Sequence, residues 1–200
     1  MKRWGQEIYY YNTTESFETE KFAGRFVGML LDEMKVRKKN KVLFLCIGTD
    51  RSTGDSLGPL VGHKLAEQNH LRTKIFGTLD HPVHAMNLDA YMRTIQNHFS
   101  DHIVVAVDAS VGDAEYIGYA TLGRGSIRPG LGVSKDLDAV GDLFITGIVG
   151  ASISNDPMML HSVRLAIVMR MADCISKSVY LGMSAIGKHV EKFSMKPTLF

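Results

Sequence analysis

Cysteine is scarce in this 200-residue chain: there are two, Cys46 and Cys174, far apart and without metal-ligand spacing. That excludes a disulfide framework and leaves two buried, reduced thiols as the expectation. Neither sign of charge is in excess, and a formal net charge of +2 gives no argument for nucleic acid or an anionic membrane as partner. No apolar run approaches bilayer-spanning length, and the first residues lack the apolar stretch of a signal peptide, so a cytoplasmic location is expected. Repeats, low-complexity segments and linkers are missing too, which leaves one domain over residues 1–200. Hydrophobic and charged contents of 45% and 22% are those of an ordinary globular protein. The basic cluster Lys35, Arg37, Lys38, Lys39 and Lys41 has no aromatic residues interleaved and reads as a solvated helix end.

What is present is an alternation of strand and helix signals. Residues 1–13 are polar and tyrosine-rich and read as an N-terminal arm. From Thr14 to Lys38, Phe22, Phe26, Leu30 and Met34 recur at i, i+4 spacing, which predicts a long amphipathic helix. Val42–Ile47 is a buried strand, followed by a helix over about Ser56–Gln68 in which Pro59 sits in the tolerant first turn. Further strands are expected at Thr73–Leu79, Ile103–Val107, Tyr116–Leu122 and Leu143–Val149, with helices at Leu88–His98 and Pro157–Val179. The segment Gly123–Val133 holds four glycines and a proline and is expected to be irregular; Lys188–Phe200 reads as a surface helix and tail. The late helix carries Met158, Met159, Met169 and Met171, and its broad apolar surface fits either deep burial or a homodimer contact. This order predicts a three-layer α/β/α sandwich with a mainly parallel sheet.

The stretch Lys41–Pro59, KVLFLCIGTDRSTGDSLGP, places a glycine-punctuated loop at the carboxyl edge of that sheet, where α/β proteins keep their sites. A phosphate-binding P-loop is excluded, because Asp55 stands where the lysine belongs and would repel phosphate. Gly54-Asp55-Ser56-Leu57-Gly58 matches the G-x-S-x-G pattern of a nucleophile elbow and the letters of the GDSL esterases. The elbow needs its serine directly off the strand, yet Gly48–Gly54 intervenes, and no D-x-x-H follows near the C-terminus. Ser56 therefore reads as a helix N-cap before a nucleophile.

The preferred chemistry rests on carboxylates. Asp55 follows the first strand of this stretch and Asp108 closes VVAVDAS, so both reach one crevice if the two strands are neighbours. Two carboxylates a few ångströms apart cannot both ionise easily, which yields an acid and a base at neutral pH. The bland alternative makes Asp55 a helix cap and Asp108 an anchor for the turn at Gly112.

Three motifs in order carry a resemblance: Gly48…Gly54-Asp55-Ser56-Leu57-Gly58-Pro59, then Val107-Asp108-Ala109, then Ser126-Ile127-Arg128-Pro129-Gly130-Leu131-Gly132-Val133. Together they resemble the sporulation proteins of the YyaC type, called spore proteases. More distantly they are similar to the germination protease of spore-formers and to the hydrogenase maturation proteases. The resemblance implies a phosphorylase/hydrolase-like fold, a protein or peptide substrate, a forespore or spore location, and Asp55 and Asp108 as the catalytic pair. Candidate substrate contacts around that pair are Gly48, Thr49, Ser56, His84, Arg128, Gly130 and Gly132, and no cofactor is expected. Two departures stand out: Thr49 replaces the relatives' usual asparagine, and Ser134 and Lys135 occupy the region where a nickel-recognising histidine would follow Gly132. His81 and His84, in Asp80-His81-Pro82-Val83-His84, are the weaker metal alternative, beside the plainer reading of solvated loop histidines. The glycine loop would offer backbone N–H groups to an oxyanion, and Arg128 a cation to a substrate carboxylate or simply a surface charge. The leading expectation is a peptidase; a non-catalytic binding protein on a protease scaffold and a Ser56 hydrolase stand behind it.

Overall fold

The computed structural model describes residues 7–14, 16–68, 73–129, 138–151 and 163–194, with side chains described as far as residue 187. These residues form an α/β fold with one mixed six-stranded sheet and four α-helices. The strands are β1 (Ile8–Asn12), β2 (Lys41–Cys46), β3 (Lys74–Phe76), β4 (His102–Gly112), β5 (Tyr119–Arg124) and β6 (Leu143–Ala151). The helices are α1 (Thr19–Arg37), α2 (Leu57–Ala66), α3 (Leu88–His98) and α4 (Leu165–Ser194). The sheet order is β1-β5-β6-β4-β2-β3. Strands β6, β4, β2 and β3 run parallel, while β5 pairs antiparallel with both β6 and β1.

Strand alternation sorts the apolar residues onto two faces. Val42, Phe44 and Cys46 of β2 and Ile103, Val105 and Val107 of β4 pack in one core with side chains of α1, α2 and α4. Leu43 and Leu45, with Val104 and Ala106, pack on the other face with Leu88 and Ile95 of α3. Phe22, Phe26 and Leu30 are fully buried, as their i, i+4 spacing requires, whereas Leu31 is exposed.

Several expected boundaries move. The arm over residues 1–13 is in its described part strand β1, which pairs along β5 and buries Tyr11. Helix α1 starts at Thr19 rather than Thr14, and β3 shrinks to three residues. Strand β4 runs on to Gly112, so Asp108 lies within a strand and not at its end. The chain then forms a single 3-10 turn, Ala114–Tyr116, before β5 begins at Tyr119. Gly123 and Arg124 of the expected irregular segment belong to β5, and α4 continues through 188–194. The beginning of the expected late helix, with Met158 and Met159, lies outside the described residues, as does His161. Within α4 the buried residues Val168, Met171, Ala172, Ile175 and Val179 make one stripe, while Arg170, Asp173 and Lys177 face out. No described helix is long and apolar enough to cross a membrane.

The basic cluster is largely engaged in ion pairs. Arg37 pairs with Glu33 at 2.8 Å and Asp142 at 3.0 Å, and Lys41 pairs with Asp101 at 2.8 Å. Lys39 donates to the His102 carbonyl at 2.9 Å. Cys46 is buried in β2 and Cys174 is half-buried; both are free, and burial pushes both thiols upward in pKa.

Candidate functional site

Strand β2 ends against close backbone contacts that shape the loop after it. The Gly48 N–H donates to the Val83 carbonyl at 2.8 Å, and Thr49 N–H donates to the Asp55 carbonyl at 3.1 Å. Gly48 has φ +137°, and a Cβ there would lie 1.9 Å from the Asp55 carbonyl oxygen. Only glycine fits, because the loop folds back until Asp55 rests on the end of the strand. A Cβ on Gly58 would in turn meet the Ile47 carbonyl at 2.0 Å, so the first turn of α2 packs directly on the same strand end. Asp55 is thereby held in the 3-10 turn Gly54–Ser56, half-buried at the sheet's carboxyl edge.

Asp108 reaches the same edge from β4. The β2–β4 pairing closes at Cys46↔Val107, whereas β4 continues alongside β6, with Asp108 opposite Thr146. Asp108 is thus the first β4 residue past the last β2 pair, and it is only 7% exposed. Burial, and after it the charge of Asp55, raise the pKa of the Asp108 carboxyl well above the ordinary carboxylate range. One backbone donor, Ala109 N–H at 2.8 Å, pulls weakly the other way. The two aspartates expected to meet are therefore close enough for one to oppose ionisation of the other. A buried acid of raised pKa beside a more open carboxylate is an arrangement suited to proton transfer.

The remaining expected site residues divide. Ser56 occupies the N-cap position of α2 without a side-chain capping bond. Its hydroxyl, 5% exposed, instead donates to the Thr53 carbonyl at 2.7 Å, a local structural role. The Thr49 hydroxyl accepts from Arg51 N–H at 3.3 Å within the loop. His84 follows Val83, which bridges to Ile47, and its Nδ1 accepts from Met86 N–H at 3.3 Å. His81 is exposed, its N–H donating to the Thr78 hydroxyl at 3.2 Å. Among the described residues no three His, Cys, Asp or Glu side chains gather as a metal-binding set. Arg128 is exposed and lines the cavity described next; Gly130 and Gly132, with Ser134 and Lys135, lie outside the described residues.

A cavity of about 620 Å³ opens over the part of the sheet beside Asp108. Its floor contains residues for which no motif in the sequence argued. Cross-strand register sets Asp108 opposite Thr146, Thr146 opposite Thr121, and Thr121 opposite Tyr10, a single row across β4, β6, β5 and β1. All four line the cavity. The Thr121 and Thr146 hydroxyls are 2.6 Å apart, and the Ser110 hydroxyl donates to Thr146 at 3.3 Å. A pair of backbone bonds between Ile127 and Val140, at 2.9 and 2.8 Å, fixes the start of the glycine segment at the cavity wall.

The Bacillus subtilis (strain 168) protein named "Uncharacterized protein YyaC" is 44% identical over 140 residues, 70% of this chain and 68% of the relative. The expected likeness to YyaC is thus borne out as sequence similarity. A family model described as "Protein of unknown function (DUF1256)" matches residues 12–178, and the chain belongs to that family.

Proposed function

We propose that this protein is a sporulation-associated peptidase that hydrolyses a peptide bond with the Asp55–Asp108 pair. The observation that carries the reading is Asp108 itself: a buried carboxyl at the rim of a cavity, its pKa raised by burial and then by the neighbouring charge of Asp55. In the reaction Asp55, the more open of the two, accepts a proton from water as the water oxygen attacks the scissile carbonyl carbon. Asp108 gives its proton to the amide nitrogen as the C–N bond breaks, and a proton passes from Asp55 back to Asp108 to reset the pair. Under this reading the sheet with its helices is a three-layer sandwich of the phosphorylase/hydrolase-like kind, akin to the hydrogenase maturation proteases, and the protein works in the forespore. Ser56, with its hydroxyl committed to Thr53, is a structural residue.

The test is incubation of the purified protein with a spore-protein extract, with new fragments read by mass spectrometry. Asp55→Asn and Asp108→Asn, each folded, are expected to lower cleavage at least about a hundredfold, the usual range for a lost acid or base. Activity is expected to fall at high pH as Asp108 loses its proton through its raised pKa. Undiminished cleavage by either variant would remove the pair from the mechanism.

A further inference from the structure

The row Asp108–Thr146–Thr121–Tyr10 needs an explanation, because a polar line across the face of a sheet is not how a core is built. Large apolar side chains flank it on both sides. Phe144 and Ile8 lie on one side, with the Phe144 ring filling the space where a Cβ on Gly123 would stand, 2.2 Å from it. Ile148, opposite Ser110, lies on the other side. The cavity floor is therefore a hydroxyl stripe flanked by Phe144 and Ile8 on one side and by Ile148 and Ser110 on the other, with Asp108 of the proposed pair at its inner end.

Three inter-strand gaps separate β4 from β1, about 14 Å at ~4.8 Å each, which matches about four residues of extended chain. Threonine hydroxyls both donate and accept, as the alternating N–H and C=O groups of such a chain demand. Alternate side chains would then rest against Phe144 and Ile8, or against Ile148. The row runs across four strands over the face of the sheet, so a segment seated on it lies on that face and does not add a strand.

Resting on the peptidase reading, we infer that this groove seats about four extended residues of substrate peptide on one side of the scissile bond, with Thr146, Thr121 and Tyr10 positioning them and an apolar side chain preferred beside Phe144. These are positioning residues, not acid or base.

The experiment uses a pool of acetylated, amidated hexapeptides, varied at one central position among apolar, acidic and basic side chains. Full-length 15N-labelled Asp108→Asn protein, in which the peptide stays intact, is titrated with the pool, and wild type is assayed for cleavage by mass spectrometry. Thr121→Val/Thr146→Val removes both hydroxyls together and leaves no orphaned partner within the pair; Tyr10→Ala shortens the far wall. Saturable shifts are expected at the Ser110, Thr121 and Thr146 amides, strongest with apolar peptides. In an otherwise wild-type protein the double variant is expected to raise KM about tenfold with kcat held, as two lost hydrogen bonds imply. Shifts confined to other regions, or KM within about twofold of wild type in both folded variants, would overturn the groove and leave the peptidase reading standing. Groove shifts without cleavage by the wild type would instead sink the peptidase reading and keep the groove as a peptide site.

Discussion

The Asp108 carboxyl ties local chemistry to stability in a way that can be measured. Its folded pKa is raised, so the native state binds a proton that an unfolded aspartate would release. Stability therefore falls as pH rises from about 4, the ordinary aspartate value, through the raised folded value, and stays lower above it. Asp108→Asn, neutral at every pH, is expected to flatten that slope and to melt higher than wild type near neutral pH, while losing activity. Thermal melts at about pH 5 and about pH 8 check both signs. Gly48 makes the opposite case. Gly48→Ala puts a Cβ against the Asp55 carbonyl at a positive φ, and a loss of about 1–3 kcal/mol in urea unfolding is expected. Both aspartates could be picked out in the sequence because each comes after a clear apolar run, Val42–Ile47 or Ile103–Val107. The role of Ser56 could not, since its acceptor, the Thr53 carbonyl, is a backbone atom in a turn whose geometry no residue type announces.

Among the elements, helix α3 was legible to the residue, and the buried face of α1 followed from its phenylalanine spacing. Strand β1 was not. Only Tyr11 of its five residues is buried, so an edge strand that covers β5 shows little apolar alternation. Strand β4 was read too short because Asp108 looks like a terminator. The strand survives the buried acid because β6 pairs alongside it past that point. At its other end β6 is preceded by Asp142, whose carboxylate accepts from Val104 N–H at 2.9 Å and meets Arg37 of α1 at 3.0 Å. That side chain joins two strands and a helix with little exposure. Asp142→Ala is expected to cost about 2 kcal/mol in chemical denaturation, with Asp142→Asn, which keeps an acceptor, losing about half as much. Equal losses in the two would mean that the ion pair, and not the strand bond, carries the effect.

For the molecule as a whole, the α/β class was readable from the order of elements, whereas strand order and register were not. The row from Asp108 to Tyr10 exists only because β5 turns back antiparallel and β1 returns to its edge, pairings with no local signature. The same holds for the proposed catalytic pair, whose members come from separate segments and interact only in the folded sheet. Their coupling is therefore the central claim, and it can be read without knowing the substrate. The measurement is a carboxyl 13C NMR titration of Asp108 in the wild type and in Asp55→Asn. The account predicts a midpoint above the ordinary aspartate range in the wild type and a clear downward shift once Asp55 is neutral. An Asp108 midpoint that is ordinary, or that does not move in the variant, would contradict it.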